Sequence, residues 1–216
     1  MPVHYFAQLG SSFLNFLLDY VEAPPTADDN NEIPDVFVGL ICAYNLQFSA
    51  LSTNVTVACL ADRSGAKTWT EKILLLLNRE EDPAALFKTE FGANMALIPS
   101  AASGLARNSV QKVILEMFMH ENCHQLFYTN DIYVLIDIII RQVMDLSAND
   151  AGRGVYLKMA HLVLTKSDYN EHLHRYKDLN QCWIHVLEEN EDEEDTADKL
   201  VVKRICRDIQ AFNSLV

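Results

Sequence analysis

The sequence predicts an all-α protein of about nine helices. Three observations support this fold class: apolar residues recur at helical spacing along most of the chain, the connections between these segments are short, and no convincing pair of strands is present. Half of the 216 residues are hydrophobic, which is enough for a substantial core. Successive helices joined by short loops form either a globular bundle or an α-solenoid, and the degenerate repeats leave both open.

The helical segments follow one another between proline-rich or polar breaks. The first stops before Pro24-Pro25, and Pro34 lies where a first helical turn tolerates proline. In 51–61, β-branched residues make a strand the competing interpretation, but helix is favoured because no partner strand is evident. We predict a single helical turn at 84–87 and a loop at 92–106 that can hold a short helix. The predicted helices are 5–22, 37–48, 51–61, 68–77, 110–119, 130–146, 155–163, 176–187 and 200–212.

The segment 127–147 predicts a central, buried helix. Asn130 and Asp131 are residue types that accept hydrogen bonds from the first free N–H groups of a helix. Apolar residues then recur at helical spacing, and Ile138 and Ile140 widen the apolar stripe. We therefore expect this helix to be buried on more than one side.

Two further helix starts are predicted from capping residues. Thr68 followed by Glu71 matches a capping box, in which each side chain bonds a backbone N–H group of the other. Asn108 or Ser109 is expected to cap the helix 110–119.

Composition restricts the class of partner and the compartment. The net charge of −13 disfavours nucleic acid and anionic membrane surfaces as partners, and a basic protein surface is a better complement. The five cysteines form no CxxC pair, which indicates reduced, mostly buried thiols in a cytosolic protein. No apolar run is long enough to span a membrane, and the first residues do not resemble a signal peptide. We expect one domain over 1–216 with solvated acidic loops at 23–32 and 188–198.

A short metal-binding motif occurs at the end of the predicted helix 110–119. His120, Glu121 and His124 spell HExxH, in which two histidines bind zinc and the glutamate acts as general base. A zinc-dependent hydrolase is thus one alternative function. The motif falls at a helix end rather than in mid-helix, and no third ligand has a supporting spacing, so a polar helix end is favoured. Cys123 is interpreted as a buried or incidental cysteine.

Basic residues are few, but they form two clusters. Arg175 and Lys177 lie beside His172 and His174, which are interpreted as exposed loop histidines. The second cluster is on the last helix and contains Lys199, Lys203, Arg204 and Arg207. Either cluster could meet an acidic partner, although an ordinary exposed face is the favoured interpretation of both. Trp69 and Trp183 lie at core spacing and are interpreted as packing residues.

Several blocks of the sequence resemble a known family. The blocks are TEKILLLLNREEDP (70–83), LFYTND (126–131), LIDIIIRQ (135–142), DLS (145–147) and YNEHLHRYKD (169–178). Together they resemble the leucine-rich C-terminal domain of the NCK-interacting protein with SH3 domain, the WISH/DIP family. The resemblance extends over about residues 35–212, and this chain is expected to hold the later part of that domain.

The resemblance implies an armadillo-like helical stack without enzymatic activity or cofactor. It also implies a cytoplasmic protein of the actin cytoskeleton that binds the actin-related protein 2/3 complex and activates it to nucleate linear filaments. A cytoskeletal or endocytic scaffold without nucleating activity is the alternative. We select Arg141, Gln142, Arg175 and Lys177 as candidate partner-binding residues, because they are polar and lie in or beside the family-like blocks.

Overall fold

The computed structural model describes residues 9–25, 32–48, 51–85, 108–148, 150–189 and 196–215. Within these residues every regular element is a helix, which confirms the all-α class and is consistent with a helical stack. The helices group into two compact units, 1–126 and 127–216, and each unit has its own buried core. None of the helices in the described ranges is long and apolar enough to cross a membrane.

The first unit packs two helices, α1 and α5, against the same three neighbours. Its described elements are α1 (Ser11–Glu22), α2 (Glu32–Asn45), a 3-10 segment (Leu51–Thr53), α3 (Val55–Ala61), α4 (Lys67–Asn78), α5 (Ser109–Met119) and a 3-10 segment (Cys123–Leu126). Both α1 and α5 contact α2, α3 and α4. Helix rather than strand in 51–61 is therefore confirmed. Half of the predicted turn 84–87 and all of the predicted loop 92–106 lie outside the described residues.

Local asparagine side chains cap two helices of the first unit, α3 and α5. Asn108 accepts a hydrogen bond from the backbone of Gln111, which confirms the predicted cap of α5. Asn54 lies between the 3-10 segment and α3 and caps α3. Its carboxamide oxygen accepts hydrogen bonds from the backbone N–H groups of Thr56 and Val57. By contrast, α1 begins at Ser11, later than predicted, because Leu9 and the N-cap residue Gly10 are not helical. The preceding residues 5–8 lie outside the described part of the chain.

The predicted capping box at the start of α4 is wrong. The N-cap residue is Ala66, whose side chain has no acceptor. Glu22, at the end of α1, supplies the acceptor instead. Its two carboxylate oxygens accept hydrogen bonds from the backbone N–H groups of Thr68 at 3.1 Å and Trp69 at 2.8 Å. A negative charge at a helix N-terminus also interacts favourably with the helix dipole, so Glu22 fixes α4 to α1 while Glu71 remains on the surface.

A buried ion pair joins three helices of the first unit. Lys112 and Glu116, one turn apart on α5, are almost fully buried, and the Lys112 Nζ lies 2.6 Å from a Glu116 oxygen. Asn45 and Asn54 each donate to Glu116, at 2.8 and 3.0 Å, and Lys112 donates to the Asn45 carbonyl at 2.9 Å. Burial lowers the pKa of Lys112, and the Glu116 carboxylate opposes that shift. Removal of any one member of this network would destabilise the fold, because it would leave a buried polar group without a partner.

The second unit is a set of helices in which α7 contacts three neighbours. Its described elements are α6 (Thr129–Asp145), α7 (Ala151–Lys166), α8 (Tyr169–His172), α9 (Tyr176–Glu188), α10 (Ala197–Asp208) and a 3-10 segment (Gln210–Leu215). Helix α7 packs against α6, α8 and α10, and α9 packs against α6 and α10. The predicted packing role of Trp183 is confirmed, since it is fully buried and meets Phe212 edge to face at 6.3 Å. Trp69 is fully buried in the first unit.

Helix α6 is buried on several sides, as predicted. Ile138 and Ile140, which widen the apolar stripe, are both buried. The capping assignment is half right. The Asp131 carboxylate accepts a hydrogen bond from the Tyr128 N–H at 3.0 Å, whereas Asn130 lies inside the helix, because α6 already begins at Thr129.

A buried arginine ties together the helix ends that flank the acidic segment. The predicted loop 188–198 is shorter in the structure, because α9 and α10 extend into it from both ends, and 190–195 lie outside the described residues. Arg153 on α7 is fully buried. Its guanidinium lies 2.7 Å from a Glu189 oxygen and 3.6 Å from an Asp198 oxygen. The two ends of this segment are therefore held by an ion-pair cluster.

Candidate protein-binding face

One exposed stripe of α6 combines apolar and charged side chains. Val134, Asp137, Arg141 and Met144 recur every three or four residues and are exposed. The opposite sides of the helix are buried, so this stripe is the surface that α6 offers to solvent. Exposed apolar residues next to an arginine are a common composition of protein interfaces.

The turn between α8 and α9 lies against this stripe and has an unusual backbone. Leu173 and Arg175 both adopt the left-handed conformation, with φ of 50° and 53°. Non-glycine residues rarely adopt this conformation, which costs on the order of 1 kcal/mol per residue. The turn is closed by hydrogen bonds from the Leu173 N–H to the Tyr169 carbonyl at 2.8 Å and from the Tyr176 N–H to the Leu173 carbonyl at 3.2 Å. Strain of this kind persists where surrounding contacts hold the backbone in place.

The contacts that hold the turn come from α6. The His174 ring stacks on the Tyr133 ring with centroids 4.2 Å apart, and His172 meets the same ring edge to face at 6.2 Å. The His174 Nε2 lies 3.1 Å from the Asp137 Oδ1, and the Arg175 Nη1 lies 3.8 Å from the same oxygen. We call these five residues, Tyr133, Asp137, His172, His174 and Arg175, the α6–α9 face.

Three of the four candidate residues predicted from the sequence are exposed in this region. Arg141 lies on the exposed stripe of α6, and Lys177 is exposed in the first turn of α9. Arg175 belongs to the α6–α9 face, and its Nε also bonds Asp178 at 2.6 Å. Gln142 is only 4% exposed, because it is on a buried side of α6, so its side chain is not part of this surface.

Sequence reasoning did not select Tyr133 and Asp137. Both lie on α6, one turn apart, and their partners come from the α8–α9 turn, 37 residues later for Asp137 and His174. The one available signal is the i, i+4 pair of a tyrosine and an aspartate on the polar side of an otherwise apolar helix. This pair becomes part of a candidate site only because the fold places the α8–α9 turn against it.

The HExxH residues do not form a zinc site. Helix α5 ends at Met119, and His120 has an extended backbone, so the two histidines are not one helical turn apart. The His120 Nδ1 lies 3.4 Å from the backbone N of Asn122, and the His124 Nδ1 lies 3.3 Å from the His120 carbonyl oxygen. In the described part of the chain, no group of three His, Cys, Asp or Glu residues is placed to hold a metal ion. The interpretation as a polar helix end is supported.

The cysteines are buried thiols rather than activated nucleophiles. All five are free and buried, as the sequence predicts. Burial raises the pKa of Cys42, Cys123 and Cys182 to about 12 each. For Cys42 the nearby Asp82 carboxylate adds to the rise. A thiol with so high a pKa carries almost no thiolate at neutral pH, so these side chains are inert packing residues.

The fold and the exposed face define a class, that of helical protein-interaction domains. The model for the SPIN90/Ldb17 leucine-rich domain family matches residues 30–179, well over half of the chain, and the α6–α9 face lies inside the match. The chain therefore belongs to the SPIN90/Ldb17 leucine-rich domain family. This is a scaffold-type family rather than a known enzyme family, and it is linked to actin-related and endocytic scaffolding. The leucine-rich domain predicted from the sequence blocks is confirmed.

Proposed function

We propose that this chain binds the actin-related protein 2/3 complex and activates it to nucleate linear actin filaments without a pre-existing filament. The observation that carries the proposal is the family match over 30–179, together with the family's link to actin-related scaffolding. The relation to NCK-interacting proteins with an SH3 domain, and a cytoplasmic location at the actin cytoskeleton, are parts of the same proposal.

The proposed mechanism is a shift of population between two arrangements of the complex. An activator favours the active arrangement only by as much as it binds that arrangement more tightly than the inactive one. A change from about 1% to about 99% active requires roughly a 10⁴-fold difference in affinity. Helices with buried cores and satisfied polar networks suit this task, because little conformational entropy is lost when a rigid surface binds.

We propose the α6–α9 face, with Arg141 and Lys177 beside it, as the contact surface. Its support is physical: exposed apolar side chains such as Val134 and Leu173 lie next to aromatic, imidazole and guanidinium groups whose positions are fixed by contacts. Residues of these types supply much of the binding energy in known interfaces. The strained turn presents them in one arrangement, which reduces the ordering cost of binding.

A scaffold without nucleating activity is the second candidate. The family's link to endocytic scaffolding favours it. The two candidates differ in their effect on filament assembly, since a scaffold binds its partners and leaves the rate of assembly unchanged.

A matched pair of substitutions tests the proposed contact surface. Val134→Asp places a charge on the exposed stripe of α6. Leu200→Asp places one on α10, which contributes no residue to the α6–α9 face; the two side chains are 46% and 51% exposed. Binding of purified actin-related protein 2/3 complex to the immobilised chain is measured by surface plasmon resonance. We expect Val134→Asp to weaken binding about ten-fold, the loss of roughly one apolar contact, and Leu200→Asp to leave it unchanged. Equal affinities for both variants and the parent chain would show that this face is not the contact.

A further inference from the structure

A groove between α2 and α4 is a candidate docking surface in the first unit. It has a volume of about 450 Å³ and continues over the turn that follows α4. Its apolar lining consists of Val36, Val38, Gly39, Leu75, Leu76 and Pro83. Gly39 has no side chain, so the backbone of α2 itself forms part of the groove wall.

The apolar residues at the groove are unusually exposed. Val36 is 52% exposed and Leu75 is 46% exposed, and Ile33, three residues before Val36 on α2, is also exposed. Single exposed apolar residues are normal on protein surfaces, but a contiguous group at a groove is typical of an interaction site. A second cleft with Leu75 and Lys72 in its lining continues the same surface towards the end of α1, where Val21 and Pro24 line it.

The rim of the groove is acidic. The charged residues that line the groove are the acids Asp35, Glu81 and Asp82 and the bases Lys72 and Arg79. Glu71 lines the neighbouring cleft, where it pairs with Lys67 at 3.7 Å. The ammonium group of Lys72 is bonded to the carboxylate of Asp35, so these two charges largely cancel and leave two acids, Glu81 and Asp82, against one base, Arg79. The remaining field is negative and complements a cationic partner.

The turn after α4 holds one further acid at a position that favours glycine. Glu80 has φ of 59° and follows the last turn of α4, where the Glu81 N–H donates to the Leu76 carbonyl at 3.0 Å. This is the αL residue of a Schellman motif, at which glycine avoids the steric cost. The chain therefore keeps an acidic residue in the turn beside the groove residues Arg79 and Glu81 despite backbone strain.

We propose that this groove binds an amphipathic helix of a partner protein, one that carries lysine or arginine residues beside its apolar stripe. A helix is the matching shape, because the groove is formed by two helices and the described residues include no strand edge that an extended peptide could join. Cationic flanks match the acidic rim. A second copy of this chain is a poor occupant, because its net charge of −13 is repelled by the same rim. The groove lies in the first unit and the α6–α9 face in the second, so this proposal does not depend on the proposed function.

The test uses a displayed library of helical peptides about four turns long. Each peptide has apolar residues at positions i, i+3, i+4 and i+7 and random residues elsewhere. Selection on the parent chain is followed by counter-selection on Leu75→Asp, and the Kd of enriched peptides is measured by fluorescence anisotropy. Leu200→Asp is the control, since that leucine is similarly exposed on α10. Thermal melts of both variants establish that each is folded.

We expect enriched peptides rich in lysine and arginine that bind Leu75→Asp about ten-fold more weakly or worse and bind Leu200→Asp normally. Their affinity falls as the salt concentration rises, because the rim attracts them electrostatically. Val134→Asp, on the exposed stripe of α6 in the second unit, leaves their affinity unchanged. Absence of enrichment, enrichment of acidic peptides, or equal binding to Leu75→Asp would overturn the proposal. Self-association of the parent chain that Leu75→Asp abolishes would also overturn it, in favour of a second copy as the occupant.

Discussion

Removal of the Glu22 carboxylate is expected to destabilise the first unit more than removal of any nearby surface acid. In Glu22→Ala, the backbone N–H groups of Thr68 and Trp69 both lose their acceptor. Water can replace the lost acceptor at half-buried Thr68. Trp69 is fully buried, so its backbone N–H stays unsatisfied. A lost helix cap costs about 0.5–2 kcal/mol and an orphaned buried donor about 1–3 kcal/mol. Because these contributions overlap, we expect a loss of about 2–3 kcal/mol in the free energy of unfolding.

Urea unfolding followed by far-UV circular dichroism measures this loss. The matched control is Glu71→Ala, which removes the acid that a local capping box would use. In the structure, Glu71 is an exposed residue 3.7 Å from Lys67, so its removal is expected to cost about 0.5 kcal/mol or less. Glu22→Gln, which keeps an acceptor oxygen but removes the charge, should fall between the two. A larger loss for Glu71→Ala than for Glu22→Ala would refute the assignment of Glu22 as the cap of α4.

Two further predictions concern ion pairs. Glu116→Leu should lower the free energy of unfolding by about 3–5 kcal/mol, because it leaves the buried Lys112 charge without a partner. The double variant with Lys112→Met should lose clearly less than the sum of the losses of the two single variants. Additive losses in a double-mutant cycle would contradict this. On α10, the hydrogen bond with His161 lowers the pKa of Asp208 below its ordinary value of 3.8. The stabilisation from this carboxylate is therefore complete above pH 3.8 and is lost as the pH falls through the lowered pKa, since the unfolded state then binds the proton more readily. In urea titrations, Asp208→Asn should have a lower free energy of unfolding than the parent chain at about pH 6, and the difference should shrink at about pH 3. A difference that does not change with pH would refute the stabilising role of the Asp208 carboxylate.

The elements that sequence reasoning predicted best depend on local pattern. The apolar spacing of α6 specified its position and its burial on several sides, and Asn108 specified the start of α5. In each case the deciding residues are a few positions apart, so periodicity and capping preference contain the information. The family-like blocks added the class of protein, which the helices alone leave open.

The features that the sequence did not reveal depend on residues far apart in the chain. Glu22 reaches a backbone N–H 47 residues later, and the Asn45 carboxamide meets Glu116 after 71 residues. No local pattern identifies such partners, because they are set by how the helices pack. The same reason explains why Arg175 was selected as a candidate residue while its partner Asp137 was not.

The HExxH motif shows the opposite case: the residues match the local pattern, but the backbone does not have the geometry that zinc binding requires. Zinc binding by this motif needs both histidines on one face of a continuous helix. Here the helix ends before His120, and the following residues begin a 3-10 segment. The position of a motif relative to helix boundaries is thus as informative as its spelling.

The most direct test of the central claim is bulk assembly of purified actin with the actin-related protein 2/3 complex, with and without this chain, in the absence of other activators and of seed filaments. We predict a shorter lag that requires the complex, and filaments seen by single-filament microscopy to be linear rather than branched. Val134→Asp should lengthen the lag again, and Leu200→Asp should not. An unchanged lag at concentrations of the chain that saturate binding to the complex would contradict the nucleation proposal and leave a scaffold as the function.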